Sequence, residues 1–312
     1  MQIRSALYIL LLAFAVPLSF ASCQKTTPPK PKLPKRNCNK VVNVAHRGAS
    51  GTAPENTLAA AGRGLIAGAD TWELDVHPTA DGRIIVHHDH VVNVHSNTAQ
   101  GLPFLADAQT SAFTLVDLQK LDFGSQFVTN DKQNKVRQGL LPYSQMHVYV
   151  GETAPSLTEA LQFTKRHNWQ VIVELKEQNP LSNEKQFIQN VLKTIQKAQL
   201  GNRVRIWSFQ PKYLKWVKEL APNIPTGLLL FFLRPKKLPL LRALQVQSIS
   251  VEHSGLPVEA IPVIKTMGIK IFVWSINRTS RMHRYIQLGV DGIVTDFPGK
   301  LAKILSQCRA NQ

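Results

Sequence analysis

The sequence predicts an α/β fold, a somewhat irregular (β/α)8 barrel of the TIM type, and three observations predict it. Short apolar runs alternate with longer amphipathic ones from Val41 to Cys308. The short runs are continuously apolar, which marks strands covered on both faces and hence a parallel sheet. Acids, bases and histidines gather at the C-terminal ends of these runs, where parallel barrels build their sites.

In chain order, residues 1–22 place Arg4 before the apolar run Ala6 to Phe20 and end on small residues, the pattern of an export signal. The string F-A-S-C, Phe20 to Cys23, resembles a bacterial lipobox, which implies a lipid on Cys23. Gln24 after it implies an outer-membrane address rather than the inner membrane. The alternative is a plain signal peptide, with Cys23 free or disulfide-bonded and the protein periplasmic or secreted. Residues 23–40 carry Pro28, Pro29, Pro31 and Pro34 among lysines and read as an extended tether. The barrel is assigned to residues 41–308.

A chain of 312 residues, 44% hydrophobic, is ample for one large core, and a single folded domain is expected. Beyond the leader there is no eighteen-residue charge-free span, so no other segment qualifies as a membrane helix. The net charge of +17 implies attraction to anionic surfaces such as phospholipid head groups, or a basic surface that serves solubility. Lys25, Lys30, Lys32, Lys35 and Arg36 form one basic cluster, and Arg234, Lys236, Lys237 and Arg242 a second. Neither interleaves aromatics, so no nucleic-acid partner is expected.

Strands are expected at Val41 to Ala45, Thr71 to Val76, Arg83 to His87, Gln170 to Leu175, Arg203 to Phe209, Thr226 to Phe231, Gln247 to Val251, Ile269 to Ser275 and Gly292 to Thr295. Helices are expected at Thr57 to Ala67, Ser156 to His167, Asn183 to Gln199, Pro211 to Leu220, Lys236 to Leu244, Pro257 to Met267, Thr279 to Leu288 and Pro298 to Cys308. This is one strand too many for an eight-stranded barrel. The link from Val76 to Gly82 is too short for a helix, so the second and third strands form a hairpin or join through extended chain. From about residue 90 to 150 the alternation stops, and a stretch that long predicts a small insert over the barrel mouth, between the third strand and the next helix. His95 and His147 fall in it as surface or substrate-fringe residues rather than catalytic ones.

Glu73 and Asp75 sit two apart on a strand and share a face, and Glu174 and Lys176 repeat that spacing. Three clustered carboxylates without cysteine describe an oxygen-ligand site for Ca²⁺ or Mg²⁺. Glu55 is a fourth ligand or a partner of one. The alternative is that these acids only balance Arg47 and Lys176. His46 and His88 each follow a strand, and imidazoles titrate near neutrality, so the pair can act as general base and general acid. His87 should point the other way, towards the helices, as a packing residue. Arg47 and Lys176 suit phosphate oxygens. Trp274 either stacks on substrate carbons or fills the core, and Phe209 shares that ambiguity. No G-x-S-x-G elbow or Gly-rich nucleotide loop is present.

The motifs H-R-G, P-E-N-T, G-A-D, E-L-D-V, D-G and H-D, in that order from His46 to Asp89, resemble those of the glycerophosphodiester phosphodiesterase family. V-E-L-K, S-F-Q-P, V-W-S-I-N and G-V-D-G-I-V-T-D-F-P extend the match across roughly residues 41–300. The resemblance implies hydrolysis of glycerophosphodiesters to sn-glycerol 3-phosphate and an alcohol, with the glycerol hydroxyl attacking phosphorus to give a cyclic phosphate that water then opens. Asp296, in the closing motif, is expected to cap the last helix, and Gly292 to permit close packing. The loop after H-D lacks the family's arginine, which bears on head-group choice. Two rival readings are a phospholipase acting on intact or lyso-lipids and an inactive barrel used as a binding protein.

Cys38 and Cys308 are expected to form a disulfide. Cys38 precedes the first strand at the N-terminal face, and the last helix runs back towards that face. Two unpaired thiols are the alternative.

Overall fold

In the computed structural model, which describes residues 38–92, 96, 108–129, 141–178 and 183–311, the sheet closes on itself. Its strands are β1 (Val42–Ala45), β2 (Thr71–Pro78), β3 (Ile84–Val86), β4 (Gln170–Leu175), β5 (Val204–Ser208), β6 (Thr226–Leu230), β7 (Ser248–Glu252), β8 (Lys270–Trp274) and β9 (Gly292–Thr295). All neighbours in the ring are parallel, and the β1 to β2 pairing shuts it. The surplus strand is β3, which pairs antiparallel with β2 outside the ring, Val76 opposite Val86. The short link thus makes a hairpin, turned at Gly82 with φ of 69°.

Helices α1 (Leu58–Ile66), α5 (Leu157–Arg166), α6 (Glu184–Ala198), α7 (Pro211–Leu220), α8 (Leu238–Leu244), α9 (Ala260–Thr266), α10 (Thr279–Leu288) and α11 (Pro298–Ala310) follow the ring strands, and α2 (Leu115–Leu118), α3 (Ser125–Thr129) and α4 (Tyr143–Met146) lie in the insert. Local chemistry starts several of them. Thr57 accepts from the Ala60 N–H at the head of α1, and Ser156 with Glu159 forms a capping box on α5. The expected helix from Pro257 is shorter than read, because Pro257 to Glu259 form a turn before it.

One apolar layer fills the space between strands and helices, with Trp72, Leu74, Val173, Ile206, Ile249 and Ile293 among its members. A smaller one, Val44, Ile172, Trp207, Leu229, Phe272 and Val294, plugs the barrel interior below the site. Gly292 is needed there, since a Cβ would stand 2.3 Å from the Phe272 ring. The insert has its own core, Val92, Phe113, Leu115, Leu118, Leu121 and Phe123 around Ile85, while Leu141, Met146 and Tyr149 pack on Ala53 and Ala60. It therefore braces the first loop of the site.

Cys38 and Cys308 form the expected disulfide, with Cα atoms 6.1 Å apart. It closes a 270-residue separation on the face opposite the strand C-termini. The leader, Cys23, the tether up to residue 37 and His95 lie outside the described residues. Among the described residues no helix is long and apolar enough to cross a membrane.

Candidate active site

Register assembles the site. On β2, Glu73 and Asp75 project into the barrel, and Asp75 lies directly opposite Glu174 of β4. The three residues are 3%, 1% and 8% exposed, and one ligand atom from each falls within 4.8 Å of the others. Such close burial of like charges is costly unless cations answer it.

Part of the answer comes from the chain. Lys176 Nζ lies 2.9 Å from Glu174 and 3.6 Å from Asp75. Arg47 Nη1 donates to Glu55 at 2.7 Å, its Nε lies 3.4 Å from Asp75, and its backbone N–H donates to Glu73 Oε2 at 3.0 Å. Asn56 clamps Asp75 twice, side-chain amide to carboxylate at 2.9 Å and carbonyl to the Asp75 N–H at 3.1 Å. Arg47 and Asn56 reach these positions through left-handed backbone, φ 52° and 60°. Such strain persists where surrounding contacts hold it. Between them Gly48, φ 79°, lies so close to Ala60 that a Cβ would clash at 2.5 Å with its backbone.

The charges do not balance. Glu55, Glu73, Asp75 and Glu174 face Arg47 and Lys176, and Glu73 Oε1 is buried without a hydrogen-bond partner among the described residues. Burial, with repulsion from Asp75 and Glu174, pushes Glu73 well above the usual carboxylate range. Burial and Asp75 likewise raise Glu174. Burial would raise Asp75 too, yet Lys176, Arg47 and His88 hold it well below. An orphaned oxygen on one of two neighbouring carboxyls that resist ionisation fits a site able to hold a hard divalent cation. Glu55 lies outside this three-carboxylate group and accepts from Arg47.

His46 and His88 face the same space. His46 Nδ1 lies 2.6 Å from Asp296 Oδ1, and His88 Nδ1 lies 2.9 Å from Asp89 Oδ1. Asp296 also accepts from Ser50 at 3.1 Å and from Asn277 at 2.6 Å. Burial opposes its charge, but these donors hold its pKa far below the usual range. This corrects the capping role expected for Asp296. The residue before α11 is Phe297, whose apolar side chain offers no acceptor for a cap bond, and Pro298 fills the first turn, where a missing N–H costs nothing. The string T-D-F-P marks Asp296 in the sequence but does not indicate what it touches.

His87 is buried as expected for a packing residue, though against the insert rather than the outer helices. Its ring lies 5.4 Å from Phe123. His77, which sequence reading passed over, is fully buried, and burial pushes it down to about 3. Its Nε2 meets the His88 carbonyl at 3.1 Å, and its Nδ1 meets the Gln178 amide at 3.3 Å. Because the carbonyl can only accept, Nε2 carries the proton and Nδ1 accepts. His77 thus pins the backbone that carries His88.

These groups line one cavity of about 690 Å³ at the strand C-termini. Glu73, Glu174, Lys176, His46 and His88 form its polar side. Phe209, Phe231 and Trp274 form an aromatic wall, with Phe209 stacked on Phe231 at 4.9 Å and edge-on to Trp274 at 5.8 Å. Trp274 is therefore both a packing residue and a cavity residue. Phe231 is the member that sequence reading missed. A cavity of about 730 Å³ outside the barrel, between α5 and α6, contains no histidine, so chemistry rather than volume selects the site.

The sequence model of the glycerophosphoryl diester phosphodiesterase family matches residues 46–300. The chain is 32% identical over 266 residues to a glycerophosphodiester phosphodiesterase of Caldanaerobacter subterraneus subsp. tengcongensis, covering 85% of this chain and 98% of that protein. It is 29% identical to one from Bacillus subtilis, covering 96% of each. Among solved structures, a phosphodiesterase from Oleispira antarctica, determined with the product sn-glycerol-3-phosphate, superposes with a TM-score of 0.72 at 25% identity, over 84% of this chain and 96% of that one.

Proposed function

This chain belongs to the glycerophosphoryl diester phosphodiesterase family and is an enzyme of that type, and we propose on that footing that it hydrolyses glycerophosphodiesters to sn-glycerol 3-phosphate and an alcohol with two histidines moving the protons. The observation that carries the reading is the shared cavity: two histidines, two of the three clustered carboxylates and Lys176 line one space.

Glu73, Asp75 and Glu174 would hold Ca²⁺ or Mg²⁺, which supplies neutralisation of charge developing on the phosphoryl oxygens. Arg47 and Lys176 lie beside these carboxylates and add fixed positive charge for the same oxygens. With Asp296 ionised, His46 presents its proton on Nδ1 to that carboxylate and keeps Nε2 free to accept one. His46 therefore suits the base that receives the proton of the attacking hydroxyl. His88, steadied by Asp89 and by the His77 bond to its carbonyl, suits the acid that protonates the leaving oxygen.

The lipid on Cys23, an address in the periplasm or outer membrane, and membrane association through the basic surface belong to the same proposal. They rest on the leader pattern and the charge of +17. A second reading, hydrolysis of lyso-lipids, is favoured by the aromatic wall of Phe209, Phe231 and Trp274. The test is release of glycerol 3-phosphate from a panel of glycerophosphodiesters, and release of choline from lysophosphatidylcholine beside glycerophosphocholine, each with and without chelator. No release from any member of the panel in metal-supplemented buffer would refute the hydrolytic reading.

A further inference from the structure

The corner between β6 and α8 carries a surface that the hydrolytic groups do not use. Phe231 and Phe232 follow β6 directly and are 57% and 59% exposed. No other adjacent pair of large aromatics is exposed among the described residues. The backbone beneath them is fixed. Leu233 is buried and donates its N–H to the Gly255 carbonyl at 2.9 Å. Gly255 in turn packs so closely that a Cβ there would stand 1.8 Å from the Phe231 carbonyl oxygen. The two rings are held outward by a rigid corner.

Along the chain, the charge beside the rings has one sign. Arg234, Lys236 and Arg242 are exposed, Lys237 is half-buried, and no acid occurs from residue 220 to 251. Phe231 also walls the cavity, stacked on Phe209 and 5.4 Å from Trp274, so this surface is continuous with the cavity mouth. An exposed aromatic pair followed along the chain by cations, in a segment without acids, matches an anionic bilayer interface. Rings enter the boundary between head groups and acyl chains while cations meet lipid phosphates. We infer that Phe231, Phe232, Arg234 and Lys236 form a docking surface for anionic phospholipid bilayers, which turns the cavity mouth towards the lipid. Its value for turnover rests on the phosphodiesterase reading, whereas the docking does not.

The test is co-sedimentation of the exported chain carrying Cys23→Ser, so that no acyl group at that position contributes. Vesicles of phosphatidylcholine alone are compared with vesicles that also contain phosphatidylglycerol. Binding is expected only with the anionic vesicles. Phe232→Ser should weaken it about tenfold, and Lys236→Glu at least about fivefold. Both variants should keep wild-type melting temperatures and wild-type hydrolysis of soluble glycerophosphocholine. Absent binding to anionic vesicles, or binding that neither substitution weakens, overturns the inference. So does capture of single-stranded DNA through these residues without vesicle binding. If vesicles bind as expected but no glycerophosphodiester is hydrolysed, the docking surface stands and the hydrolytic reading fails.

Discussion

His46 and Asp296 touch at 2.6 Å although 250 residues separate them, because Ala45 and Thr295 are paired across β1 and β9 and each residue follows its strand by one. The first and last strands of the ring therefore bring together one half of the proposed proton-transfer pair. His46→Ala should lower kcat by about 10²–10⁴-fold, the usual span for a lost general acid or base. Asp296→Asn should lower kcat with little change in KM, and the double variant should lose no more than His46→Ala alone. Steady-state kinetics of the three variants decides this, and wild-type kcat in Asp296→Asn would reduce Asp296 to a structural role. His88→Ala should fall in the same range, while His87→Ala, packed on Phe123, should lose far less.

Chelation should abolish hydrolysis and added Ca²⁺ or Mg²⁺ should restore it. A thermal readout separates binding from chemistry. The cation should raise the melting temperature of the wild-type chain in a concentration-dependent way. Glu73→Gln removes a repelled carboxyl, so without added metal it should melt no lower than wild type and should lose the shift on adding cation. An equal cation-induced shift in both proteins would place the ion elsewhere.

His77 links stability to pH. Its ordinary value of 6.5 falls to about 3 in the fold, so the unfolded chain binds the proton more readily between those limits. The stabilisation is therefore complete above about pH 6.5 and is lost progressively as pH falls towards 3, amounting to about 2 kcal/mol by about pH 5. Denaturant titrations at a series of pH values should show this slope in wild type. His77→Gln, whose amide can still donate to the His88 carbonyl, should flatten it and retain substantial activity. An unchanged slope would assign the pH dependence to other groups.

The Cys38 to Cys308 bond ties the start of the barrel to its last helix on the face away from the site. Cys308→Ser should cost about 2–5 kcal/mol of stability, leaving kcat nearly unchanged. Thiol counting on denatured, unreduced exported protein checks the bond directly, and two free thiols at positions 38 and 308 would refute it.

Much of this molecule was legible in residue order. Apolar runs placed all nine strands to within a residue or two at most ends, and the two-residue spacing of Glu73 and Asp75 put both carboxylates on one face, because side-chain direction along a strand is a local property. The disulfide followed from barrel topology for a similar reason, since helices that return antiparallel to parallel strands end near where those strands begin. What only the tertiary structure decided is which distant groups meet. Periodicity does not reveal that β3 turns back outside the ring, that Asp296 serves His46 instead of capping α11, that Glu55 is spent on Arg47, that His77 holds the His88 backbone, or that Phe231 joins Phe209 and Trp274. Each of these depends on strand register and loop packing around a closed barrel, and register is fixed by the simultaneous fit of the whole core.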